Sequence, residues 1–147
     1  MVEDMKNAYR QLPVLPAHAC VAVVAYWNCE LQQISYIVLR GLPFGLSSAV
    51  LNFNRVPVLG AAILRRMVAL PASPFFDDAG GVDLAVARHS GQHAMQAIYS
   101  ALAWRLDPDK SQPGGPQRVY LGMSADVGNV PTSGFMTVDL KPGIFHF

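Results

Sequence analysis

Residues 74–81, PFFDDAGG, set two carboxylates side by side directly after an apolar run. No Lys or Arg lies between Arg66 and Arg88, so no sequence neighbour can neutralise Asp77 and Asp78. Adjacent carboxylates repel, and each loses hydration on burial unless positive charge sits close by. A divalent cation such as Mg²⁺ supplies that charge, because it takes one or two carboxylates together with phosphate oxygens. Successive residues of an extended chain point to opposite faces, so one aspartate of the pair is expected to meet a metal more directly than the other. A clamp for two ions needs a further acid from another strand, and Asp4 is the natural candidate. Two ions about 3.5–4 Å apart could activate a hydroxyl and stabilise the leaving group of an in-line phosphoryl transfer. The plain alternative is an exposed type I turn, rich in Asp and Gly and without chemistry.

The elements that must hold these acids can be read from the punctuation of the chain. Residues 19–27 and 31–40 are β-rich runs joined across Asn28-Cys29-Glu30, and they predict an antiparallel hairpin. GLPFG, residues 41–45, reads as a turn. From Leu46 to Val68 the pattern becomes helical, with Leu46, Val50 and Phe53 at i, i+4 and i+7 and Ser47 as cap. Pro57 is expected to end or kink that helix and leave two pieces, the second closing near Arg65-Arg66. PASPFF then predicts a strand, with the aspartates at a bend and VDLAVA as the returning strand. Residues 90–106 predict a second amphipathic helix, capped by Ser90, with Met95, Ile98, Leu102 and Leu106 on one stripe. DPDKSQPGGPQ is a loop, and RVYLGMSADV and GFMTVDL are strand-like. The order is strand remnant, hairpin, helix, hairpin, helix, strand. It predicts an α+β fold with helices segregated onto one face of an antiparallel sheet.

Composition bounds the possibilities without choosing among them. The chain has 147 residues, 52% of them hydrophobic, with mean hydropathy +0.26, enough for a core and against disorder. The longest apolar run, residues 19–27, is far short of the ~20 residues of a membrane span, and MVEDMKNAYRQ has no signal-peptide core. An intracellular, non-secreted protein without membrane contact is expected. Cys20 and Cys29 have no metal-ligand spacing and read as reduced, partly buried thiols. A net charge of +1 gives no electrostatic case for nucleic acid.

Five blocks in order change the weighing of the acids: DMKNAYRQLPV (residues 4–14), LPFGLSSAVLNFNR (42–55), FFDD (75–78), LDPDKS (106–111) and VYLGM (119–123). Together they resemble the palm motifs of reverse transcriptases from retrotransposons and retroviruses, and look closer to eukaryotic retroelement enzymes than to viral RNA-dependent RNA polymerases, over roughly residues 4–125. The resemblance implies a polymerase palm with a ferredoxin-like core over residues 1–125, followed by a strand-like extension over 126–147. It implies RNA-directed DNA synthesis with two Mg²⁺ (or Mn²⁺) ions, an RNA or DNA template, a DNA primer and a dNTP. Asp4, Asp77 and Asp78 match the metal-binding acids, with Phe75 at the aromatic position of the box. Tyr9 matches the ring that excludes a 2′-hydroxyl, against a half-buried core tyrosine as the plain alternative. Pro43, Phe44 and Gly45 match the nucleotide pocket loop, Ser47 and Ser48 the helix start that supports the template, and Leu121-Gly122 the hairpin at the primer end. Lys110 matches the lysine near the triphosphate, where it would neutralise or protonate pyrophosphate. An ordinary solvated lysine is the alternative.

The resemblance also has departures. Neither the fingers before the first aspartate nor the thumb after the Leu-Gly hairpin is recognisable, nor is any RNase H, integrase or protease segment. The isolated chain is therefore expected to be inactive. A non-catalytic scaffold derived from a palm is the competing reading, and a palm of an RNA-dependent RNA polymerase a weaker one, since Tyr9 argues for deoxynucleotides. His89 and His93, four apart but without the glutamate of HExxH, are expected on the surface. Asp83 is expected on the returning strand away from the metals, and Asp107 and Asp109 as caps of the loop around Pro108.

Overall fold

The computed structural model describes residues 1–87 and 89–140. Of the stretch 134–147, therefore, residues 141–147 lie outside the described residues. The fold is α+β with every strand pairing antiparallel. The strands fall into three small sheets, and the chain divides into two compact units: Met1–Lys6 with Pro57–Phe147, and Asn7–Val56.

The first unit is built on a sheet of order β1-β5-β4, from β1 (Val2–Asp4), β4 (Ala72–Phe75) and β5 (Asp78–Gly81). Phe75 pairs with Asp78, so only Phe76 and Asp77 form the hairpin loop. The returning strand is thus DAGG itself and not VDLAVA, whose residues 85–87 form a 3₁₀ turn. The two-residue loop turns the chain back at once, and the glycines serve the strand by being small. A Cβ at Gly80 would meet the Tyr120 ring at 3.2 Å, and one at Gly81 would meet Met95 Cε at 2.9 Å. The short first strand keeps its place, pairing with β5 over all three residues.

Helix α2 (Ser90–Ala101) is shorter than the periodicity predicts, because Ala103 takes a positive φ of 58° and Trp104 N–H bonds back to the Tyr99 carbonyl at 2.8 Å. Its buried positions are Gly91, Gln92, Met95 and Tyr99, not the Ile98–Leu102–Leu106 stripe. Ser90 does not cap it. Asp83 does, with Oδ2 accepting the Gly91 N–H at 2.9 Å. Trp104 Nε1 donates to Met5 Sδ, and Met5, Leu64, Met95 and Tyr99 are among the largest fully buried side chains. A second sheet follows, from β6 (Gln117–Tyr120), β7 (Met123–Asp126) and β8 (Thr137–Leu140), with α3 (Val130–Ser133) between the last two. Leu121 and Gly122, at φ 53° and 75°, form the β6–β7 turn, the double positive φ that favours a tight hairpin. Residue 125, the expected domain boundary, falls inside β7.

The second unit holds a 3₁₀ turn at Ala8–Gln11, another at Pro16–Val21, and the hairpin of β2 (Val23–Asn28) and β3 (Gln33–Val38). The start of the expected strand, residues 19–21, is 3₁₀ instead, in the turn that Pro16 opens. Asn28 Oδ1 accepts the N–H groups of Glu30 and Leu31 and so closes the hairpin loop. Nearly all of the hairpin is exposed on both faces, and Cys20 and Cys29 are exposed free thiols, not partly buried ones.

Helix α1 (Ser47–Met67) is continuous through Pro57, where a break or two pieces were expected. Its buried stripe is Ala49, Phe53, Pro57, Ala61 and Leu64, so Pro57 sits on the core side, where burial of its ring offsets the missing N–H bond. By length and composition alone α1 could cross a membrane, with a third of its apolar window buried. Buried core helices have the same composition.

Tyr99 is fully buried over Gly60, where an added Cβ would approach the ring to 2.7 Å. Its hydroxyl has no partner among the described residues, and burial pushes the phenol up to about 12. Tyr99→Phe is expected to leave stability unchanged or raise it by up to about 1 kcal/mol. Gly60→Ala should lower it by about 1–3 kcal/mol. Urea unfolding midpoints check both.

Candidate functional site

Cross-strand register assembles the acids. Asp4, the last residue of β1, lies directly opposite Asp78, the first residue of β5. Residues so opposed carry their side chains on one face, with Cβ atoms about 4.5–5.5 Å apart. Asp77 sits in the adjoining turn, and its carbonyl accepts the Met5 N–H at 2.8 Å, which ties the turn to the strand that carries Asp4. Phe76, the other turn residue, takes a positive φ of 51°, a strained setting for a bulky side chain. Phe75 and Phe76 meet edge to face at 4.8 Å beside the acids.

The other edge of β1 is covered by the loop after α2. Asp107 N–H bonds the Asp4 carbonyl at 2.8 Å, Lys6 N–H the Arg105 carbonyl at 3.0 Å, and Val2 and Gln112 exchange two backbone bonds. The loop tip is thereby laid along the acids, and Lys110 Nζ reaches both Asp4 oxygens, at 3.1 and 3.2 Å. Asp109 N–H bonds Asp107 Oδ1, the local turn expected around Pro108. Lys110 remains 62% exposed while the Asp4 side chain is only 13% exposed, so the lysine closes the solvent side of the carboxylate.

The electrostatics record the crowding. Burial first, then the charges of Asp77 and Asp4, push the Asp78 carboxyl above its ordinary range, with Lys110 pulling the other way. The hydrogen bond to Asp4, followed by its charge, raises the Lys110 ammonium. Burial and the charge of Asp78 raise the Tyr120 phenol, whose hydroxyl donates to the Ser73 carbonyl at 3.0 Å. The Leu121-Gly122 turn begins immediately after that ring. In donor chemistry the site suits a hard divalent cation, since it offers carboxylate oxygens alone. The geometry is less closed: among the described residues no group of three or more His, Cys, Asp or Glu is arranged to hold a metal ion.

The remaining expected residues belong to the second unit. Tyr9 is 7% exposed, stacked on Phe53 at 4.4 Å and tilted against Phe44 at 4.9 Å. It is therefore more deeply buried than a half-buried core tyrosine. Phe44 is exposed, and Pro43 is intermediate. Gly45 has φ 91° and open space around its Cβ position, so backbone conformation and not close approach calls for glycine there. Ser47 and Ser48 occupy the exposed first turn of α1. His89 and His93 are exposed, as expected.

One group has no counterpart in the reading of the sequence. Glu3 is 1% exposed, and its Oε1 accepts Gln92 Nε2 at 2.7 Å, Gln96 Nε2 at 2.8 Å and Ser111 Oγ at 3.0 Å. Two signals were present in the chain. Alternation beside Asp4 must send Glu3 to the other face, and Gln92 and Gln96 at i, i+4 flank the inward Met95.

Asp78 binds its proton more tightly in the folded than in the unfolded chain, so its charge lowers stability as pH rises through the raised folded value. Asp78→Asn is expected to raise stability at pH 7 by up to about 1 kcal/mol after solvent screening, roughly 3 °C in Tm. The gain should vanish below about pH 4, where the carboxyl is protonated in both states. Thermal melts across that range check the sign. No family model matches this chain, and no curated protein matches it.

Proposed function

We propose that this chain carries the palm of an RNA-directed DNA polymerase, with Asp4, Asp77 and Asp78 as its acids. The observation that carries the reading is the register of β1 on β5, which sets Asp4 opposite Asp78 beside Asp77. The five motifs in order add support from the sequence. Asp4 and Asp78, with Asp77 adjoining, would hold two Mg²⁺ or Mn²⁺ ions. When bound, these supply Lewis-acid activation of a primer 3′-hydroxyl and charge neutralisation of a triphosphate. In that reaction the 3′-hydroxyl oxygen would bond the α-phosphorus of a dNTP and lose its proton to solvent as the bond to pyrophosphate breaks, and Lys110 would neutralise or protonate the departing pyrophosphate. The resemblance would assign Tyr9 the steric exclusion of a 2′-hydroxyl, whereas its ring is 7% exposed and packed on Phe53 and Phe44, as a core tyrosine would be. The resemblance would assign Pro43, Phe44 and Gly45 to a nucleotide pocket loop, Ser47 and Ser48 to template support, and Leu121-Gly122 to the primer end.

A second reading, a non-catalytic scaffold retaining the acids by descent, is favoured by one observation: Lys110 already neutralises Asp4. Manganese titration separates the two. The polymerase reading expects binding that weakens at least about tenfold in each of Asp4→Asn, Asp77→Asn and Asp78→Asn. No binding, or binding indifferent to all three substitutions, leaves the scaffold. Primer extension by the purified chain is expected to be absent, because nucleic-acid affinity comes largely from phosphate contacts and the net charge is only +1. Template-dependent extension would overturn that expectation.

A further inference from the structure

We infer that Glu3 is a positioning residue whose buried carboxylate locks the loop after α2 to the helix and to β1, and so keeps the Lys110 ammonium on Asp4. The inference rests on the polymerase reading only for what that lysine does there.

Glu3 and Asp4 are neighbours on one strand and face opposite sides of it. Asp4 meets the loop tip at the solvent side, and Glu3 anchors the loop from the core side. Ser111, which follows Lys110, donates directly to Glu3 Oε1. Gln92, itself 5% exposed, doubles the link: its Nε2 also reaches Ser111 Oγ at 3.1 Å and the Gln112 carbonyl at 3.5 Å, and its Oε1 accepts the Gly114 N–H at 3.1 Å. Three of the four residues after Lys110 are therefore bound to one buried pair of side chains.

These donors to Glu3 are neutral, so the carboxylate is desolvated with hydrogen bonds as its compensation. Well-packed apolar residues often do as well or better for stability in such a place. What the network adds is a single register for the loop. The Lys110–Asp4 pair is too open to solvent to set that register by itself.

Amine acylation of the folded chain tests this without any catalysis. A limiting N-hydroxysuccinimide ester labels the lysines, and the Lys110 rate is read by mass spectrometry against Lys6 and Lys141. Asp4→Asn sets the rate of a released ammonium. Glu3→Ala and Ser111→Ala are expected to raise Lys110 labelling toward that level, by about threefold or more. Glu3→Gln, which keeps an acceptor oxygen, should stay near the parent. Circular dichroism establishes folding, and if Glu3→Ala does not fold, Ser111→Ala decides alone. Lower urea midpoints with an unchanged Lys110 rate would mean a purely structural role and overturn the inference. Labelling that rises in a chain without manganese affinity would keep the positioning role and remove the polymerase reading. Manganese binding with unchanged labelling would do the reverse.

Discussion

Repulsion between carboxylates set opposite each other across β1 and β5 is the constraint around which this end of the first unit is organised. Asp4 and Asp78 share a face because antiparallel register puts them there, and Asp77 adds a third charge from the turn. Opposed like charges destabilise a strand pair. Three features answer that repulsion here. Lys110 takes up Asp4, the Asp78 carboxyl rises toward its neutral form, and the backbone bonds on both edges of β1 hold the strand against separation.

That answer depends on parts with no charge of their own. The two-residue turn at Phe76-Asp77 brings Asp78 directly opposite Phe75, at the expense of a positive φ on a bulky residue. Gly80 and Gly81 then let Tyr120 and Met95 lie against the strand that carries Asp78. Larger side chains there would push away the ring whose phenol feels the Asp78 charge. An acid held above its ordinary range at the end of an otherwise well-paired strand lowers stability at neutral pH.

The polar network beneath β1 shows the same economy on the opposite face. A strand of three residues contributes one side chain to the core, one to the anchor and one to the acids: Val2, Glu3 and Asp4. Short length is no handicap when β5 pairs one edge and the 105–112 loop the other. The exposed β2–β3 hairpin lies at the other extreme, with aromatic and aliphatic side chains in solvent on both faces.

The sequence by itself determined the kinds of element, their order and the residues that carry charge. Periodicity and turn chemistry are local, so the β2–β3 hairpin and the two main helices were legible, whereas RVYLGMSADV read as one strand-like run and its division at Leu121-Gly122 was offered only by the resemblance. The acidic pair and its need for a partner were legible too, because unneutralised adjacent carboxylates show in the sequence alone. Tertiary structure decided the rest. Pro57 reads as a break until its ring is found on the buried stripe, and VDLAVA reads as the returning strand until the register puts Asp78–Gly81 opposite β4, with Tyr120 and Met95 against its glycines. Asp83 became a cap, Tyr9 a buried ring and Glu3 an anchor through residues far from them in the chain. Only long-range register could make Asp4 the neighbour of Asp78 and of Lys110, since pairing between distant segments is fixed by packing and backbone bonding and leaves no mark in the local pattern.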